Sequence, residues 1–270
     1  MNNIIVVLNK KEDIVEVLKK DIKGIIIGAK GLSTYNLELE IEDIINISNS
    51  TDKKIIIAMN RMIHNRDIDK VKDVLKMIKN TNISSILFYD VGILKLAKEM
   101  DINKELIIGQ EHLNASINSN NFYYRNGVNS TYITSDITYD ELLDIKRNTK
   151  LDMYYTVYGN LQIFYSRRKL LSSYFEYIKR DMTDNTYYIY DNDKKYTIVE
   201  NEYGTIIYSP VVNLINHISQ LNDINLVIDL SLQDGIDIID KFINKEEMEE
   251  GYLGFYNTKT TYKVKGDKND

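Results

Sequence analysis

The sequence predicts an α/β fold: a TIM-barrel-like (β/α)8 ring with a small β subdomain inserted before the last strand. Three observations carry this. Eight short apolar runs recur along the chain, the intervals between several of them show helical periodicity, and the seventh interval is too long for one crossover. Short continuous apolar runs suit parallel strands buried on both faces. Repeated β–α units imply right-handed crossovers, and eight such strands can close into a barrel. An open doubly wound sheet is the alternative, although no Gly-rich dinucleotide fingerprint follows the first run.

In chain order the strand runs are 4–8, 24–27, 55–58, 86–89, 106–108, 131–134, 153–157 and 226–228. Ile14, Val17 and Leu18 mark the first helix, and Val71, Val74, Leu75 and Ile78 mark a later one. Thr138 or Asp140 is placed to cap the helix that holds Leu142, Leu143 and Ile145. The seventh run is rich in β-branched and aromatic residues. It is expected to break at Gly159, where a residue without Cβ allows a tight turn or a close backbone approach. A helix over about 170–180 follows, with apolar positions Leu170, Leu171, Tyr174, Phe175 and Tyr177.

Runs 187–190, 196–199 and 205–208 then read as short antiparallel strands, with turns at Asn192-Asp193 and Tyr203-Gly204. They form an insert over about 185–208, either covering the barrel mouth or standing as a decorative hairpin. The barrel domain is taken as 1–244. Beyond Phe242, KEEMEE is expected to be helical. Residues 245–270 are read as a C-terminal extension, with GYLGFYNTKTTYKVK packed as an extended segment and KGDKND frayed.

Composition bounds the chemistry. The 270 residues suffice for one large α/β domain or two small ones, and 43% hydrophobic content supports a sizeable core. There is no cysteine, which excludes disulfides, a cysteine-ligated iron–sulfur cluster and a cysteine nucleophile. No cofactor is identifiable. Absent cysteine fits a cytoplasmic protein. The opening MNNIIVVLNKKED is too short an apolar run for a signal peptide, and no run approaches a membrane span. With 34 basic and 40 acidic residues the net charge is −6, so no overall basic footprint for nucleic acid exists and any RNA contact must be local or shared with a partner. Among 21 tyrosines, aromatic clusters carry little weight.

In a TIM barrel function sits where strands end at the C-terminal face. The residues that follow the strands there include Gly28, Lys30, Gly31, Asn60, Arg61, His64, Asn65, Asp90, Gln110, Glu111, His112, Asn114, Ser135, Asp136, Tyr158, Gly159, Asn160, Asp229 and Ser231, most of them polar. From these and the following loop, the substrate-binding candidates are Asn60, His64, Asp90, Glu111, Asn114, Tyr158, Gly159, Ser166, Arg167 and Arg168. No catalytic residue is assigned. No metal site is expected: Glu111 and His112 are consecutive and point to opposite faces in an extended segment, so they do not join His64 in a facial set. There is no G-x-S-x-G elbow and no H-E-x-x-H. Ser166, His112 and Asp90 are the nearest approach to a nucleophilic set.

The stretch LDMYYTVYGNLQIFYSRRKLLSSYFEY, from Leu151 to Tyr177, organises the rest. Tyr158-Gly159, Ile163-Phe164, Ser166, Arg167-Arg168 and Leu170-Leu171-x-x-Tyr174 stand in an order that resembles the strand–loop signature of the peptidase U32, or collagenase-like, family. GIIIGAKGLS, IIIAMNRMIHN, ILFYDVGIL, GQEHLNAS and GYLGFYNTKTTYKVK agree in sequence order, so the resemblance spans nearly the whole chain. It implies a TIM-barrel-like fold. It also implies a short branch, found beside a longer paralogue in Gram-positive bacteria and implicated in 5-hydroxylation of the wobble uridine of tRNA. The implied partners are tRNA and that paralogue; a non-catalytic subunit and a protease are the alternative readings. The chain departs from the pattern in three places. Tyr158 replaces the histidine common before the glycine, Gln162 stands where many relatives have cysteine, and Val227-Ile228-Asp229-Leu230 replaces a Lys-Ile-(Asp/Glu)-Gly run. Arg167 and Arg168 are expected to face the mouth and hold an anion, their planar forks meeting two oxygens at once; otherwise one pairs with a carboxylate such as Glu176 or Asp181.

Overall fold

The computed structural model describes residues 3–110 and 114–258. Its strands are β1 Ile4–Val7, β2 Gly24–Ala29, β3 Glu38–Leu39, β4 Lys54–Met59, β5 Ser85–Phe88, β6 Glu105–Gly109, β7 Ser130–Tyr132, β8 Asp152–Ser166, β9 Thr186–Asp191, β10 Lys194–Asn201, β11 Gly204–Asn213 and β12 Asn225–Asp229. Eight of these pair in parallel around a ring, from β12 through β1, β2, β4, β5, β6 and β7 to β8. β12 also pairs with β8, matching Asn225 with Tyr154 and Val227 with Thr156, and this closes the barrel. The helices are α1 Ile14–Val17, α2 Ile41–Asn49, α3 Ile68–Ile78, α4 Val91–Glu99, α5 Ile117–Arg125, α6 Tyr139–Asn148, α7 Leu170–Tyr177 and α8 Asp237–Asn244. The expected closed barrel is therefore present, and the doubly wound alternative is not.

Period-two alternation explains why apolar runs without polar positions make this ring. Ile5, Val7, Ile26, Ile56, Ala58, Leu87, Ile107, Tyr154 and Val227 pack together in the lumen. Their sequence neighbours, such as Ile4, Val6, Ile25, Ile27, Ile55 and Ile57, belong to the outer layer between strands and helices. On α3, Val71, Val74, Leu75 and Ile78 form the buried stripe that the sequence marks. Each such side chain contributes about 1.5–3 kcal/mol on burial. Thr138, not Asp140, caps α6: its hydroxyl accepts from the Glu141 amide, and the Glu141 carboxylate accepts from the Thr138 amide at 2.8 Å.

The barrel floor is polar. Lys54 of β4 pairs with Glu105 of β6, and Lys54 Nζ donates to the Tyr154 hydroxyl of β8 at 2.8 Å. Ser85 of β5 and Ser130 of β7 also donate to Glu105. Burial alone would raise the Glu105 carboxyl, but the bonds from Lys54, Ser130 and Ser85 outweigh it and hold the group below the usual carboxylate range.

Three expectations are corrected. β8 does not break at Gly159 but runs through it to Ser166, because its second half finds a new partner: β11 pairs antiparallel with it, from Asn213↔Tyr158 to Thr205↔Ser166. Gly159 serves the close approach instead. Its φ is +124°, and a Cβ there would lie 2.1 Å from the carbonyl oxygen of Asp229. KEEMEE is not helical; α8 ends at Asn244, with Lys245 in the left-handed region (φ 54°). Four glutamates in the next five residues would face one another at helical spacing. The tail is not extended over 251–258. Tyr252 makes one bridge to Val212, turns follow, and Tyr256 is buried against Tyr139. The remainder of GYLGFYNTKTTYKVK, and KGDKND, lie outside the described residues.

The insert forms as a β9–β10–β11 antiparallel sheet hung on β8, outside the ring. Asn192 (φ 51°) makes the first turn, and Glu202-Tyr203 make the second. α7 is tied to this sheet by Glu200 of β10, whose carboxylate accepts from the Leu171 amide at 2.7 Å and from the Ser172 hydroxyl. Among the described residues no helix is long and apolar enough to cross a membrane.

Candidate functional site at the barrel mouth

Two residues beyond the last inward apolar position of each strand, the same alternation places a residue at the lumen's C-terminal end. Asn60 follows Ala58, Tyr89 follows Leu87, Gly109 follows Ile107, Thr156 follows Tyr154 and Asp229 follows Val227. All five line one pocket of about 680 Å³, counting its open side, together with Tyr35, Tyr132, Asn160, Gln162, Tyr208 and Ser231. Tyr35, Tyr89 and Tyr132 pack on the lumen core and make its floor. The Tyr132 hydroxyl and the Thr156 hydroxyl lie 2.7 Å apart. Burial pushes the Tyr132 and Tyr35 phenols upward, so both stay protonated at neutral pH.

Asp229 is the carboxylate that faces this aromatic floor. Burial raises it to about 6, against the lowering effect of Ser231, whose amide donates to Oδ1 at 2.9 Å. A carboxyl with a value near 6 exchanges protons close to neutral pH, as a general acid or base requires. Gly159 is what lets β8 pass so near β12 at this point. Asn160, next in sequence, is fixed by donating to the Ser209 carbonyl at 2.7 Å and accepting from Gln233. It also lines a larger groove between insert and barrel loops, walled by Tyr188, Lys195, Pro210 and Gln233. Lys195 Nζ stands 3.8 Å from the centroid of the Tyr188 ring.

The sequence candidates scatter. Asn60 is at the pocket, where its amide ties down the loop after β2: Oδ1 accepts from the Ser33 hydroxyl at 2.7 Å and the Thr34 amide at 3.1 Å. Gly159 adjoins the pocket through Asp229. Tyr158 faces outward onto the Phe242 ring, 5.9 Å away. Asp90 caps α4, accepting from the Gly92 amide at 2.7 Å. Asn114 is buried and donates to the Thr131 hydroxyl. His64 is exposed at the start of a 3-10 turn. Ser166 ends β8, where its hydroxyl accepts from the Arg168 amide at 3.2 Å. Glu111 and His112 lie outside the described residues.

The two arginines do not line the mouth pocket, contrary to expectation. The reason is the overshoot of β8, which carries them away from the ring. Arg168 is exposed. Arg167 Nη1 donates to Asp67 Oδ2 at 2.9 Å and to the Met62 carbonyl at 3.1 Å, so its carboxylate partner is neither Glu176 nor Asp181.

The model of Peptidase family U32 matches residues 16–229. The chain belongs to this family. Among curated proteins it is similar to tRNA hydroxylation protein P2 of Bacillus subtilis (strain 168), 26% identical over 198 residues, 69% of this chain and 64% of the relative. It is 22% identical over 140 residues to an uncharacterized protease of Methanocaldococcus jannaschii, 50% of this chain and 34% of that protein. It is 21% identical over 135 residues to tRNA hydroxylation protein P1 of the same Bacillus, 50% of this chain and 32% of the relative. The chain thus spans just under two thirds of the first relative's length and about a third of the other two.

In this U32 chain the residues that sequence reasoning passed over are Tyr35, Tyr89, Tyr132 and Tyr208; Asn160 and Asp229 were noted at strand ends but not chosen as substrate-binding candidates. Tyr89 and Asp229 were findable by counting inward positions along each strand. Tyr35 and Tyr208 come from a loop and from the insert, where no such count applies.

Proposed function

We propose that this U32 protein takes part in tRNA modification, by 5-hydroxylation of the wobble uridine, alongside a longer member of its family. The observation that carries this reading is the mouth pocket: a tyrosine floor suited to a flat ring, with the carboxylates of Asp229 and Asp136 and several amides at its wall. A uracil edge offers one N–H and two carbonyl oxygens. Asp229 accepts from the N–H, and amides such as those of Gln110 and Gln162 donate to the carbonyls. A base reaches such a recess only when unstacked, and the anticodon loop presents unstacked bases. The groove beside the insert, continuous with the pocket at Asn160, takes the flanking strand. The relatives named for tRNA hydroxylation support the reaction class.

The test is nucleoside mass spectrometry of tRNA from a deletion strain complemented with wild type, Asp229→Asn or Asn160→Ala. Restoration of 5-hydroxyuridine derivatives by wild type and not by Asp229→Asn is the expected result. Full restoration by Asp229→Asn removes the pocket from the reaction, and an unchanged nucleoside profile in the deletion strain removes the function.

A second reading, a non-catalytic subunit of the longer relative, is favoured by the outer face of α7, where Leu170, Tyr174 and Tyr177 are 38%, 57% and 84% exposed. Co-purification with that relative, lost on Tyr174→Glu with Tyr177→Glu, supports it. Proteolysis has less support: Ser166 and Asp90 both lie away from the pocket.

A further inference from the structure

Beside the mouth pocket, and meeting it at the consecutive residues Asn60 and Arg61, lies a cleft of about 690 Å³, counting its open side, lined by Gly31, Arg61, Arg66, Lys70, Arg167 and Tyr203, with Asp67 and Glu202 as the carboxylates of its lining. Asn60 faces the pocket and Arg61 faces this cleft. Four cations stand against these two carboxylates and a third, Glu38, which accepts from the Gly31 amide at 3.1 Å behind the cleft wall; this leaves an excess of one positive charge, on a chain whose net charge is −6.

The cleft is built rather than incidental. Asp67 fixes two of the arginines: Arg167 Nη1 at 2.9 Å and Arg61 Nη2 at 3.5 Å. The Arg61 guanidinium lies over the Tyr203 ring, 4.4 Å from its centroid, and its side chain is only 5% exposed. Its Nε is buried with no acceptor among the described residues. A buried guanidinium donor without a partner costs free energy. Lys70 stands over Gly31, close enough that a Cβ there would lie 2.5 Å from Nζ. Arg66 and Lys70 are exposed and have no ion-pair partner among the described residues. Two fixed guanidinium groups backed by two free cations make the arrangement that takes a phosphate group, whose oxygens accept from planar forks.

We propose that this cleft is a phosphate-binding site that holds the backbone of the RNA whose base enters the mouth pocket. This rests on the tRNA reading for the identity of the ligand, but the site itself rests on the cleft. Phosphate contacts position a nucleic acid without reading its sequence. A local cationic site is how an acidic chain can hold RNA.

The experiment compares wild type with Arg66→Glu/Lys70→Glu, whose residues are exposed and outside the pocket. A Lys19→Glu/Lys98→Glu protein carries the same change in net charge on exposed positions elsewhere, in the turn after α1 and on α4. The probes are deacylated tRNA and, separately, inorganic phosphate. The expected result is a tRNA dissociation constant raised at least about tenfold in the cleft variant, with the slope of log affinity against log salt reduced by about two, and little change in the control. Equal tRNA affinity and slope in wild type and cleft variant overturn the cleft while leaving the tRNA reading standing. If wild type binds phosphate but not tRNA, and the cleft variant binds neither, the site stands as one for a phosphorylated small molecule and the tRNA reading falls. If wild type binds neither probe, the proposal is overturned.

Discussion

Asp229 shows how one residue sets pH behaviour. Its folded-state value, about 6, lies above the ordinary carboxylate value of 3.8 because burial disfavours the charge. The folded protein therefore holds this proton more tightly than the unfolded chain. Below about pH 4 both states are protonated and the group has no effect. As pH rises from about 4 to 6 the unfolded chain ionises first, and stability falls by up to about 2–3 kcal/mol before levelling off. Asp229→Asn removes this loss, so at pH 7.5 the variant is expected to melt higher than wild type, and the two curves to converge near pH 4. Equal melting temperatures across that range would show that the carboxyl is not held in a dry site. Asp229 was legible in the sequence only as a polar residue at a strand end. Its weight comes from Tyr35 and Tyr208, brought beside it by a loop and by the insert, which no local pattern near residue 229 announces.

At the scale of elements, β8 links barrel and insert. Its first half pairs in parallel with β7 and β12, and its second half pairs antiparallel with β11. Gly159 sits where the pairing changes. Alanine there meets the Asp229 carbonyl at 2.1 Å and demands a backbone conformation that L residues rarely adopt. Gly159→Ala is expected to destabilise by at least about 3 kcal/mol, read as a lowered denaturant midpoint, and to weaken binding at the pocket. A variant as stable as wild type would mean that the strand crossing relaxes freely. The barrel strands were legible because parallel strands buried on both faces read as plain apolar runs. The true end of β8 was not, because a glycine inside a strand carries the same local signal as a glycine in a turn. The helical reading of KEEMEE failed for the opposite reason: its residues favour helix singly, but its glutamates repel one another in sequence.

Across the whole molecule the ring is held at its two ends by different chemistry. The mouth is aromatic and partly open. The floor is an ionic network that joins strands far apart in sequence: Lys54 from β4, Ser85 from β5, Glu105 from β6, Ser130 from β7 and Tyr154 from β8. Next to it, Lys23 donates to the Asn225 side chain at 2.7 Å, and Asn225 donates to the Met153 carbonyl at 3.0 Å, so β12 joins the same end. Lys54 and Glu105 are about 80% shielded from solvent, so the attraction is less screened than at a surface and an orphaned partner is poorly hydrated. Removing one partner alone leaves a charge facing the lumen, whereas replacing both leaves none. Lys54→Met and Glu105→Gln are each expected to lower stability by roughly 2–4 kcal/mol, and the double variant to lose clearly less than the sum. Urea unfolding of all four proteins at neutral pH measures this. Additive losses would show that the two groups act separately, and that the closed ring owes nothing to their pairing.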